Sequence, residues 1–224
     1  MMEEKRIWEQ LEKEIRPGKA APMGLVGELT PVKPGLSTGA VLTVFAAVLM
    51  GITAGGGLTL GSRGMLAMTV AQVMIMGALG VTMMALLGLA AAQGLRPGSK
   101  VWVNVRWANV LPLIGFLAIA AMIFPWRWMP ETFIANGWGC LREGLYVELA
   151  SSAGVIWLVR RGYVTNWAGL AGTLGAFCGL TGAALLHVMC PDQEATHLIV
   201  WHGGFLVGGT LGGLLAGYLL LRGK

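Results

Sequence analysis

Charged side chains are scarce in this sequence: Asp, Glu, Lys and Arg make up 12% of its 224 residues, against roughly a quarter in soluble domains. With 55% apolar residues and a mean hydropathy of +0.69, an ordinary soluble domain is excluded and a polytopic membrane protein expected. The scarcity is greatest inside the long apolar runs. Pumps and proton-coupled carriers line their pathways with buried ionisable groups, so a small-solute carrier is disfavoured. Cysteine is also rare, with three residues and no C-x-x-C pair, which argues against a membrane thiol oxidoreductase feeding electrons to a quinone. A Gly-rich phosphate loop, triad spacing and a carboxylate pair are missing too, so neither enzymatic activity nor a cofactor is expected. The net charge is +5, but the basic residues stand singly or in pairs at the ends of apolar runs. There they set topology, and direct nucleic-acid binding is not expected.

What the chain has is apolar length. Runs cover residues 37–60, 65–92, 108–124, 145–159, 167–189 and 198–221. A helix needs about twenty apolar residues to cross a bilayer, so four runs qualify alone, while the third and fourth are short. Glu148 lies in the first turn of the fourth, where a carboxylate can reach the headgroups. The expected fold is all-α: six transmembrane helices in a Gly-rich bundle with a cytoplasmic N-terminal tail. Gly169, Gly172, Gly175 and Gly179, and later Gly204, Gly208 and Gly212 beside Gly209, Gly213 and Gly217, place small residues at helical spacing. Backbones in lipid can approach closely there, within one bundle or in a homo-oligomer.

Orientation follows from the basic residues. With both termini cytoplasmic, thirteen of the sixteen Lys and Arg lie inside, and only Arg63, Arg127 and Arg142 outside, as the positive-inside rule requires. Trp102 and Trp107 on one side, and Trp126, Trp128, Trp138 and Trp201 on the other, fit interfacial belts. No cleavable signal peptide is expected, because the first apolar run begins only after some thirty-five residues. The chain thus divides into a tail, 1–36, and a membrane domain, 37–224. In the tail, Ile7, Trp8, Leu11 and Ile15 share one face of a short helix that Pro17 ends. A second segment, Leu25 to Pro34, presents Leu25, Leu29, Pro31 and Val32 with no core of their own to enter. Such a tail either lies on the headgroups or folds onto a partner protein.

In this topology the stretches 125–144 and 190–197 are outer loops, which brings Cys140 and Cys190 to one face. They are candidates for a disulfide or for free redox thiols. A metal site is the alternative: His187 and Cys190 stand at i and i+3, and His197 or Cys140 would complete a thiolate and imidazole set for a soft or borderline ion. His202 is expected to be structural, and Cys178 to be a small packing residue inside its span.

The tail motif Leu29-Thr-Pro31-Val32, Cys140-Leu141, Arg160-Arg161-Gly162, Gly169-Leu170-Ala171-Gly172, Cys190-Pro191 and Trp201-His202 stand in an order that resembles the NrsF family. These are six-span inner-membrane anti-sigma factors, negative regulators of an extracytoplasmic-function sigma factor. The resemblance runs from about Leu25 to Arg222, leaving residues 1–24 as an extension. It implies that the cytoplasmic tail holds the sigma factor at the bacterial inner membrane. It also implies that Cys140 and Cys190, in the periplasm, sense a thiol-reactive signal, a heavy metal or an oxidant.

Overall fold

The computed structural model describes residues 36–96, 103–127, 130–162, 164 and 166–222, and among them all regular structure is helical. The expected partner-binding residues Leu25, Leu29, Pro31 and Val32 lie outside the described residues. Helix α1 spans Thr38–Leu60, its first turn capped by the Ser37 hydroxyl, which accepts from the Ala40 amide at 3.0 Å. It stops at Gly61, whose φ of +97° suits a residue without a Cβ. A short helix, α2 (Arg63–Ala67), precedes α3 (Val70–Gly94).

The apolar run at 65–92 is therefore not one continuous helix. Thr69 and Gln72 break it with a capping box, each side chain bonded to the other's backbone amide. Gln72 also donates from Nε2 to the Ile123 carbonyl at 2.8 Å, tying the start of α3 to the end of α4 (Val105–Ile123). Helix α5 (Pro130–Val159) starts far upstream of the apolar stretch at 145–159, so most of the expected outer loop 125–144 is helical. Pro130 suits a first helical position, and the charged residues of the extension are tolerated because Arg142 and Glu143 pair with each other on its outer face. Helix α6 (Trp167–Met189) follows, and then a turn, α7 (Ala195–His197), runs through a π-helical segment, Leu198–His202, into α8 (Gly203–Arg222).

Among the described residues, five helical stretches are long and apolar enough to cross a membrane: Thr38–Leu60, Val70–Gly94, Val105–Ile123, Trp167–Met189 and Ala195–Leu219. Helix α5 is long enough, thirty residues or about 45 Å, but Arg142, Glu143 and Glu148 interrupt its apolar character. Composition thus supports five spans, one fewer than the six expected.

Helix α6 is the hub. In its most apolar stretch 78% of residues are buried, against 17–33% in the other four spans. Phe177 stacks on Phe45 of α1 with ring centroids 3.9 Å apart. Against α8 the contact is backbone to backbone: a Cβ on Gly175 would fall onto the Gly209 carbonyl, and one on Gly209 onto the Gly175 carbonyl. Outward faces carry large apolar side chains such as Leu58, Leu66, Val70, Met74 and Leu149, a surface suited to lipid rather than water.

Candidate functional site

Where α5, the end of α6 and the π-helical segment meet, two thiols and two imidazoles are buried together. Cys140 lies on the face of α5 that also carries Gly137 and Gly144, three residues before and four after it. The Trp201 indole and the Phe205 ring fill the space where side chains at those glycines would stand. The two glycines let α5 approach closely enough for the Cys140 sulfur to reach Cys190 at the end of α6.

Cys190 ends α6. Its amide still donates to the Leu186 carbonyl at 2.8 Å, but its backbone is extended, φ −79° and ψ 118°, as expected for a residue before proline. Two contacts hold this turn. Gln193 Nε2 donates to the Cys190 carbonyl at 2.6 Å, and Gly64 of α2 lies against the carbonyls of His187 and Cys190, leaving no room for a Cβ.

The Cys140 and Cys190 sulfurs are 3.2 Å apart and not bonded. His197 Nε2 lies 3.4 Å from the first and 3.5 Å from the second. The other ring nitrogen, Nδ1, is 3.3 Å from Asp192 Oδ2, and the same oxygen accepts from Asn136 Nδ2 at 3.2 Å. A carboxylate at Nδ1 favours the tautomer whose Nε2 lone pair faces the sulfurs. His202 completes the group: ligand atoms of Cys140, Cys190, His197 and His202 all lie within 4.8 Å of one another. Its ring is edge-on to His197 at 5.3 Å between centroids. It is 0% exposed, and neither ring nitrogen has a hydrogen-bond partner.

The local helix form explains how His202 gets there. Five residues of α-helix turn about 500°, placing His197 and His202 about 140° apart. In the π-helical turn the i and i+5 positions stack, marked here by the Gly203 amide donating to the Leu198 carbonyl. Two histidines five apart thereby share a face.

The thiols are unequal. Cys140 donates its S–H to Cys190, and this hydrogen bond holds the Cys190 thiol well below the ordinary range in spite of its burial. Cys140, which precedes the apolar part of α5, is pushed up by the same contact and by burial. Cys190 is thus the thiol that gives up its proton more readily, an arrangement suited to attack on an electrophile, to oxidation or to binding a soft cation.

Residues 25–222 match the NrsF family, negative regulator of sigma F. The chain belongs to that family. In NrsF terms it is a negative regulator of a sigma factor, a regulatory rather than an enzymatic kind of protein, and the match covers the membrane helices, the thiol cluster and the Leu25–Val32 part of the tail. Comparisons with curated proteins and with solved structures give no match.

The expected metal set in this NrsF chain was His187, Cys190, His197 and Cys140. Three of these meet, but His187 does not join them. Because Cys190 leaves the helix, the i, i+3 relation no longer aims both side chains one way, and His187 packs near Phe116 and Phe124 at centroid distances of 5.6 and 6.1 Å. It stands behind His202, 4.9 Å from that ring. The fourth member of the cluster is instead His202, expected from the sequence to be structural; its five-residue spacing from His197 points to a shared face only once a π turn is allowed.

Proposed function

We propose that this protein is an inner-membrane anti-sigma factor for a sigma factor of the extracytoplasmic-function type. Its N-terminal tail captures the sigma factor through Leu25, Leu29, Pro31 and Val32, and the Cys140–Cys190 pair on the periplasmic side governs release. The reading takes α5 as a sixth crossing, which puts both termini in the cytoplasm and agrees with the lopsided distribution of Lys and Arg. Supporting it, the apolar half of α5 packs among the other helices, with Leu158 and Val155 buried.

One observation carries the sensing claim: two cysteines fifty residues apart meet, sulfur to sulfur, in a buried pocket beside a histidine. A thiol-reactive signal acting there changes the junction of α5, α6 and α8. Tightly packed helices answer such a change by shifting as units. For strong switching the signal must favour one arrangement by several kcal/mol. The test is Cys140→Ser with Cys190→Ser: release of the sigma factor by cadmium or by a thiol oxidant is expected to disappear while the protein still inserts in the membrane. A double variant that responds like the wild type removes the pair from sensing.

A further inference from the structure

We infer that Cys140, Cys190, His197 and His202 form a closed four-ligand site for one thiophilic d10 cation of the zinc, cadmium or copper(I) class. Its use in regulation rests on the sensing role proposed above; the site itself rests on geometry. Two sulfurs and two imidazole nitrogens are a donor set that such ions take tetrahedrally. With bonds of about 2.3 Å to sulfur and 2.0–2.1 Å to nitrogen, the edges of that tetrahedron are about 3.3–3.8 Å. The separations among Cys140, Cys190 and His197, 3.2, 3.4 and 3.5 Å, need a small outward movement, and His202, within 4.8 Å of the others, a movement inward, to close on the ion.

Two further observations point to a ligand. His202 is fully buried with no well-formed hydrogen bond at either ring nitrogen, a costly state that a bound ion relieves; His187 is buried in the same state, but only His202 converges with the two sulfurs and His197. His197 has a carboxylate within 3.3 Å of Nδ1, Asp192, itself held by Asn136; the contact is not yet a well-formed hydrogen bond, but it places an acceptor where the support behind a metal-bound histidine stands. A divalent ion would bind both sulfurs as thiolates, displacing the proton held between them, with no change in oxidation state. All four positions are then filled by protein, so the ion has no open coordination site for catalysis. It would join α5, the end of α6 and both ends of the π-helical turn.

A disulfide would need only the two cysteines, and His202 separates the two chemistries. The experiment titrates Cd2+ into the full chain, purified in detergent and fully reduced, and follows the ultraviolet thiolate-to-cadmium charge-transfer band. One ion per chain is expected. His202→Gln should weaken binding by more than about a hundredfold and Asp192→Asn by about ten- to a hundredfold. His187→Gln, a matched change to a neighbouring buried histidine, and Cys178→Ser, a thiol outside the cluster, should stay within about threefold of wild type, since neither supplies a ligand. His202→Gln should still form the Cys140–Cys190 disulfide with a thiol oxidant, which verifies that the pocket is intact. Failure of the wild type to take up cadmium, or equal affinity in His202→Gln, overturns the site. Cadmium binding with this residue dependence but without sigma release keeps the site and removes the sensing role. Sigma release that follows the cysteines without ion uptake removes the site and keeps the role.

Discussion

At the scale of single residues, the cluster depends on what is small beside it. Gly137 and Gly144 hold Cys140 in reach by leaving room for Trp201 and Phe205, and even one added methyl at Gly137 meets the indole. Overpacking a fitted contact costs about 1–3 kcal/mol. Gly137→Ala is therefore expected to lower the thermal midpoint of the detergent-solubilised protein and to slow oxidation of Cys140 to Cys190. An unchanged midpoint and oxidation rate would show that α5 does not need its close approach. The sequence displayed both cysteines and all three histidines but not their partners. Cys140 is brought to Cys190 by tertiary packing, which spacing along a chain does not encode.

At the scale of elements, hydropathy was a good guide wherever a helix is apolar from end to end. The stretch 167–189 coincides with α6, and 37–60 with α1 to within one residue. Patterning failed where a local device overrides it. Thr69 and Gln72 cut an apolar run that looks continuous, although their capping spacing was there to be read. Helix α5 begins at Pro130 because a helix tolerates charge on an exposed face, so low hydropathy there did not mean loop. The π-helical turn left no mark at all, and with it went the placement of His202 beside His197. The reading of α5 as a crossing has its own test. Reporter domains active only in the cytoplasm, fused separately to the two ends, should both be active. Activity at the amino end alone would mean an odd number of crossings and would put the carboxyl terminus outside.

At the scale of the whole molecule, the proposed function puts the regulated event and the sensed event on opposite sides of the membrane. Helix α6 bridges them: its outer end is Cys190, and its buried face contacts α1, which follows the tail, at the Phe45–Phe177 stack. A shift of α6 thus has a packed route to α1, the helix that follows the tail in sequence. The most direct measurement is co-purification of the solubilised protein from its native host, with the bound proteins identified by mass. Three forms are compared: the full chain, the full chain with Leu29→Asp and Val32→Asp, and a chain beginning at Thr38. The full chain is expected to retain a sigma factor and both altered forms to lose it. A sigma factor held equally by the chain beginning at Thr38 would contradict capture by the tail, and its absence from all three would contradict capture by this protein.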